Sequence, residues 1–265
     1  KYPRLAVGFD VGGLRAAGWA LSQRSRGDFY RALTAFFADS QNNGLLSDLW
    51  DRYYGHLRPF DFVDARALLY AHQEIFPNLR ESFITAANKT GLDWRLLAAL
   101  GYQESHWDPQ ARSPTGVRGL MMLPRATAKR LQVSRLDSRQ AIDGGARYLT
   151  DLLSRLPNSV VDSQRLWFAL AAYNIGSGHL EDARRITHRS GASPNRWPDV
   201  RRHLPLLANI SVASTTRYGV ARGAETVHFV RSIRRYFDTI RQLEPHPISS
   251  DKPSPRSGNL TLRSL

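Results

Sequence analysis

Leu97, Leu100, Gly101 and Glu104 stand at i, i+3, i+4 and i+7. In an α-helix those positions share one face. The spacing predicts a helix whose core-facing stripe runs directly into a carboxylate. A carboxyl at the border of an apolar stripe loses hydration, so its charged form is disfavoured and its pKa rises. A general acid working near neutral pH needs that property. A lone glutamate at a helix end is more often an idle surface residue, so the neighbouring residues must decide.

Glu104-Ser105-His106-Trp107-Asp108-Pro109 leads into a stretch broken by Pro114, Gly116 and Gly119, ending in Leu120-Met121-Met122. Such a density of turn residues predicts a tight loop. It can fold back over the carboxyl and offer the Ser113 hydroxyl and backbone N–H groups, although ordinary turn chemistry accounts for it as well. A third segment, Leu166 to Gly176, puts Leu166, Ala169, Leu170 and Tyr173 on one stripe, so the Tyr173 hydroxyl emerges at the end of a buried helix. Asn174 and Gly176 supply the helix-ending turn. A fourth segment, Tyr218 to Val230, carries Glu225 into a long amphipathic helix, where Glu225 also reads as a plain helix residue.

The elements that hold these segments are helical from about residue 63 to 237. Periodicity predicts helices over 64–75, 77–90, 93–106, 124–132, 138–155, 162–174, 177–190, 196–207 and 222–242, with Asp93, Ser138 and Asp162 as caps. The amino-terminal residues read differently. Leu5–Phe9 and Ala17–Leu21 have the look of two strands, and Asp28 opens an amphipathic helix with Phe29, Leu33, Phe36 and Phe37 on one stripe. A short helix is expected over Leu45–Tyr53 and a linker over Arg58–Asp64. The tail from Glu244, rich in Pro and Ser, is expected to be disordered.

The chain has 265 residues, of which 42% are apolar and 23% charged, the balance of a globular protein of one or two domains. No apolar run reaches the ~18–20 residues that cross a bilayer. The absence of cysteine excludes disulfides, thiolate metal sites and cysteine nucleophiles. The first residue is Lys1 with no signal-like apolar region behind it, which reads as a processed chain or a fragment. The net charge is +14, and all but four of the 37 basic residues are arginine. That balance suits an anionic partner such as nucleic acid, an acidic membrane face or an acidic glycan. The arginines recur along the whole chain without a nucleic-acid-binding motif, so no nucleic-acid partner is expected. The histidines show no metal-ligand spacing, so no metal and no cofactor are expected.

Taken in order, Glu104-Ser105, Gly119-Leu120-Met121-Met122, Ala172-Tyr173-Asn174 and the Glu225 segment resemble the family 1 lytic transglycosylases, and within them the membrane-bound F-type branch. The resemblance runs from about Asp61 to Phe237. Many relatives carry Gln where this chain has Met122; the F-type branch is similar to this chain there, and no polar substrate contact is expected from that side chain. The resemblance implies a mainly α fold: a goose-type lysozyme-like catalytic domain over 58–243. It would be preceded by 1–57, the end of a partial α/β module like a periplasmic solute-binding protein, and followed by a disordered tail over 244–265. Most of that regulatory module, and hence its ligand cleft, would be missing from this chain.

The same resemblance implies a lyase acting on peptidoglycan, at the β-1,4 bond between N-acetylmuramic acid and N-acetylglucosamine. Glu104 would be the single catalytic acid and base. Ser113 would bond near the acetamide or the carboxyl, and Tyr173 would orient the acetamide or the oxocarbenium-like sugar. Backbone at Gly119, Met121 and Met122 would line the floor, Asn174 would bind substrate, and Glu225 would order the cleft or meet a neighbouring sugar. Partners implied are glycan strands and muropeptides, with a cell-wall peptide as effector of the regulatory module. The setting implied is the periplasm, at the outer membrane through a missing amino-terminal part. Two further readings stay open on the residues: a hydrolytic muramidase, with Asp108 or Glu225 as a second carboxylate, and a non-catalytic cell-wall-binding protein.

Overall fold

The computed structural model describes residues 27–42, 45–46, 49, 62–114 and 116–245. Helices dominate: α1 (Asp28–Asn42), α2 (Phe62–Glu74), α3 (Arg80–Thr90), α4 (Trp94–Ser105), α5 (Arg125–Leu131), α6 (Ser138–Ser154), α7 (Arg165–Ile175), α8 (Ser177–Arg189), α9 (Trp197–His203), α10 (Ile210–Ala213) and α11 (Gly223–Leu243). Among the described residues the only β pairing is an isolated antiparallel bridge between Arg112 and Arg118. None of the described helices is long and apolar enough to cross a membrane.

Helix α4 is the axis of the domain. The Asp93 side chain caps it by accepting from the Arg95 N–H at 2.9 Å. Every residue from Arg95 to Tyr102 is buried, so this helix is covered all round rather than on one stripe. Helices α11 and α3 pack on it, α6 packs on α3 and α7, and α7 also meets α11. Arg95, charged and 3% exposed, is held by two bonds to Asp93, at 2.9 and 2.6 Å, and by the Glu244 carbonyl at 3.3 Å. The Glu244 carboxylate in turn meets His72 at 3.2 Å and Arg80 at 3.1 Å. The end of α11 is thereby tied to α2, α3 and α4.

Several expectations need correction. Helix α2 begins at Phe62, inside the stretch expected as a linker over 58–64, and residues 58–61 lie outside the described residues. Ser138 is the first residue of α6, and its cap is Asp137, whose carboxylate accepts from the Gln140 N–H at 2.8 Å. Asp162 opens a 3-10 turn with no side-chain cap. The helix expected over 196–207 is α9 followed by a 3-10 turn over Leu204–Ala208. Helix α10 is a single turn that periodicity did not suggest. The stripe of α1 is largely open to solvent, with Phe29 at 54% and Phe36 at 55% exposure. The two expected strands lie outside the described residues, as do most of the helix over 45–53 and of the tail beyond Glu244.

Candidate active site

Helix α4 ends at Ser105, so Glu104 occupies its last turn above fully buried Leu97 and Leu100. Two successive residues then adopt left-handed backbone, His106 at φ 54° and Trp107 at φ 64°. Both are costly for residues with a Cβ and persist only when packing fixes them. Trp107 is fully buried, donates from Nε1 to the Ala98 carbonyl at 2.8 Å, and lies against Phe76 and Tyr102. The anchored indole reverses the chain immediately after the carboxyl.

The loop returns as a tight turn. The Ser113 hydroxyl accepts from the Val117 N–H at 3.0 Å, and the Ser113 N–H donates to the Val117 carbonyl at 2.9 Å. Gly119, at φ 91°, donates to the Ala111 carbonyl at 3.0 Å, and its own carbonyl accepts from Met122 at 3.0 Å. A Cβ there would stand 1.8 Å from the Arg135 carbonyl oxygen. The loop closes on α4 because Gly101 leaves room: Leu120, Met121 and Phe83 all come within 3.2 Å of where its Cβ would be. Ser105 completes the junction by donating to the Leu120 carbonyl at 2.8 Å.

Tyr173, in the last turn of α7, is 8% exposed. Its hydroxyl donates to the Met121 carbonyl at 2.9 Å, and its ring lies 5.0 Å from that of Tyr148. Burial first, then the neighbouring Glu104 and Tyr148, push its pKa well above the ordinary value. The phenol is therefore a permanent neutral donor. Glu104 is partly exposed, and no hydrogen bond or ion pair reaches its carboxyl among the described residues. Desolvation alone pushes its pKa from 4.5 up to about 8. At neutral pH it carries a proton it can give away, the state required of a general acid.

The remaining sites fall as follows. The Met121 side chain is core and fills the space beside Gly145, whereas Met122 is partly exposed at φ 42°. Asn174 accepts from the buried Thr226 hydroxyl at 2.7 Å, which clasps the end of α7 to the start of α11. Glu225, next to Thr226 in sequence, is exposed and reaches Arg222 at 3.5 Å. Asp108 is exposed and turns back to accept from the Gln110 N–H at 2.8 Å. Among the described residues no group of three or more His, Asp or Glu side chains is placed to hold a metal ion.

One positioning residue escaped the sequence reading, and another was seen without its partner. Ser105 was visible beside Glu104, but its partner across the loop was not. Asp182 is fully buried and accepts from the Arg217 and Tyr218 N–H groups at 3.1 and 2.8 Å. This fixes the segment that precedes α11. An acidic residue at a core-facing helical position is the signal that could have found it.

Residues 81–195 match the family described as the transglycosylase SLT domain, a span that includes Glu104, the return loop and Tyr173. That match spans fewer than half of the chain's residues. The chain is 48% identical over 240 residues to membrane-bound lytic murein transglycosylase F of Ectopseudomonas mendocina, covering 90% of this chain and 49% of that protein. It is 48% identical over 239 residues to the protein of the same name from Shewanella sediminis, again covering 90% and 49%. The resemblance read from the four motifs agrees with both matches. The chain spans about half the length of the curated relatives it matches. A solved structure of an inactive mutant of lytic transglycosylase Slt from Pseudomonas aeruginosa aligns at a TM-score of 0.48, with 21% identity over 83% of this chain and 36% of that one. Glu225 and α11 lie beyond the matched SLT domain, although α11 packs on α4.

Proposed function

We propose that this chain is the catalytic part of a peptidoglycan lytic transglycosylase. It cleaves the β-1,4 bond between N-acetylmuramic acid and N-acetylglucosamine and leaves a 1,6-anhydro end. The observation that carries this reading is the unpartnered carboxyl of Glu104, protonated at neutral pH and set close to the neutral Tyr173 phenol. Most glycosidases need two carboxylates across the scissile bond. A single acid suffices when the nucleophile belongs to the substrate. Glu104 gives its proton to the glycosidic oxygen as the C1–O bond breaks, and the 2-acetamido group stabilises the cation. The carboxylate then takes the proton of the C6 hydroxyl as that oxygen bonds to C1. The acid is restored, and no water enters the product. Holding the C6 oxygen near C1 supplies up to ~7–11 kcal/mol of the barrier by orientation alone.

In this reading Tyr173 and Ser113 orient the acetamide, and Gly119, Met121 and Met122 shape the floor through their backbone. Asn174 and Glu225 order the neighbouring rim. Residues 58–243 are the goose-type lysozyme-like catalytic domain, 1–57 the end of a solute-binding-protein-like module, and 244–265 a tail. Cell-wall peptides act on that module as effectors, and the enzyme works in the periplasm at the outer membrane. The relatives' names support the activity and the membrane association.

The test is mass spectrometry of muropeptides released from purified sacculi. Anhydro ends, lighter by one water than reducing ends, are expected from the wild-type chain and not from Glu104→Gln. Reducing ends would assign the chain to hydrolysis. Turnover by Glu104→Gln at the wild-type rate would remove Glu104 from the mechanism.

A further inference from the structure

Helix α6 carries two glycines and a tyrosine on one face, with Gly144 and Gly145 one turn before Tyr148. The glycines let neighbouring chain in close. A Cβ on Gly145 would stand 2.6 Å from the Met121 side chain, and one on Gly144 would stand 2.8 Å from that of Val133. One turn later the small residues give way to a large ring that reaches across to α7. The Tyr148 ring lies 5.0 Å from that of Tyr173, tilted at 51°, a favourable contact between aromatic rings. One face of α6 therefore backs both partners of the bond from the Tyr173 hydroxyl to the Met121 carbonyl.

A phenol tethered through its hydroxyl alone can still pivot about that bond. Close packing against the ring removes this freedom. No hydrogen bond reaches the Tyr148 hydroxyl among the described residues, so Tyr148 acts on Tyr173 through its ring. The charges around that hydroxyl are paired with each other: Asp151 accepts from Arg130 at 3.1 Å and from Arg155 at 2.8 Å. Burial raises the Tyr148 pKa first, and Arg130, Asp151 and Arg155 then act on it in opposing directions. Tyr148 thus stays neutral at neutral pH and brings no charge towards the pair formed by Tyr173 and Glu104.

We propose that Tyr148 is a positioning residue of the cleavage centre, whose ring holds the Tyr173 phenol in line beside Glu104. Its part in cleavage rests on the transglycosylase reading; its hold on Tyr173 does not. Tyr148 acts through Tyr173 and needs no contact of its own with the substrate.

The experiment compares Tyr148→Phe, which keeps the ring, with Tyr148→Leu, which removes it. On solubilised peptidoglycan Tyr148→Leu should lose about tenfold in kcat with KM little changed, because a small misplacement near the reacting atoms is costly. Tyr148→Phe should restore most of that loss. Ile142 is fully buried and lies ~120° around α6 from Tyr148. Ile142→Val should lower Tm and leave kcat at the wild-type value, which separates positioning from general loss of stability. Carbon-13 NMR of the tyrosine Cζ atoms gives a readout independent of cleavage, with the Tyr173 signal identified by its loss in Tyr173→Phe. Ionisation of Tyr173 should begin at lower pH in Tyr148→Leu than in Tyr148→Phe, as water reaches the phenol. Wild-type kcat in Tyr148→Leu overturns the proposal, and so does an equal loss of kcat in Tyr148→Phe or Ile142→Val. If the wild type releases no anhydro ends, the transglycosylase reading fails and the Tyr173 titration alone decides. Equal onsets in the two Tyr148 variants then overturn the hold on Tyr173, and an earlier onset in Tyr148→Leu sustains it.

Discussion

The Tyr173 hydroxyl donates to the carbonyl of Met121 at 2.9 Å, across 52 positions of sequence. This bond fixes the return loop to α7 and places the phenol where Glu104 raises its pKa. Tyr173→Phe leaves the Met121 carbonyl without that donor. An unsatisfied buried acceptor costs ~1–3 kcal/mol. Denaturant unfolding should show a loss of that size, and turnover of peptidoglycan should fall by at least tenfold. Full turnover with the stability loss intact would confine Tyr173 to a structural role.

The raised pKa of Glu104 fixes the sign of two pH effects. Cleavage requires the protonated carboxyl, so the rate is expected to be flat from pH 5 to 7 and to fall with a midpoint near 8, where the carboxyl ionises. Stability follows the same group. Below its ordinary pKa of 4.5 it is protonated both folded and unfolded. As pH rises from 4.5 towards about 8 the unfolded chain releases the proton and the folded chain holds it, so stability is lost across that window and then levels. Glu104→Gln removes this term. Its gain over the wild type should be absent at pH 4, grow through neutral pH and reach on the order of 2–4 kcal/mol above pH 8, allowing for partial exposure. Parallel stability curves for the two proteins across this range would contradict the shift.

Much of this site was legible because local rules converge on it. The Leu97–Glu104 stripe and the Asp93 cap give α4 within a residue, and the border position of Glu104 gives the direction of its pKa shift. What stayed hidden depends on partners distant in sequence. No spacing links Tyr173 to Met121, Thr226 to Asn174, or Asp182 to Tyr218. The left-handed turn at His106 and Trp107 was hidden for another reason, since neither residue type favours it and burial of the indole overrides local preference. Helix α10 is one turn long and begins with Ile210 at 77% exposure, so it carries no periodic signal. The cap at Asp137 was missed by one residue because Ser138 is an equally good capping type.

Gly119 tests whether the loop's shape is set by backbone alone. Its φ of 91° is in the region that favours glycine, and a Cβ would meet the Arg135 carbonyl oxygen at 1.8 Å. The obstacle is backbone and has no side-chain freedom to yield. Gly119→Ala should cost more than ~3 kcal/mol or displace the loop outright, and turnover should fall with it. Gly116 has a similar φ of 82°, but open space surrounds its Cβ position. Gly116→Ala should therefore cost only ~1–2 kcal/mol of backbone strain. Thermal unfolding of the two variants side by side separates steric from conformational cost. Equal losses would mean that the Arg135 contact does not govern the loop.

Ser105 links the helix end to the same loop through one hydroxyl, which donates to the Leu120 carbonyl at 2.8 Å. Leu120 is fully buried, as is the adjacent Met121 whose carbonyl receives Tyr173. The bond therefore sets the separation between the Glu104 turn and the Tyr173 anchor. Ser105→Ala should destabilise the fold by only ~1 kcal/mol, the ordinary worth of a hydrogen bond. Its effect on catalysis should be larger, because a small misplacement of a proton donor costs up to about a hundredfold in rate. The expected readout is a drop in kcat with KM little changed. The alkaline limb of the pH profile should also move towards lower pH, as the loosened loop admits water to Glu104 and eases its desolvation. Ser105→Thr keeps the donor and should restore part of both. If Ser105→Ala lowers stability and leaves kcat and the alkaline limb where they were, the serine ties the loop down without positioning the acid.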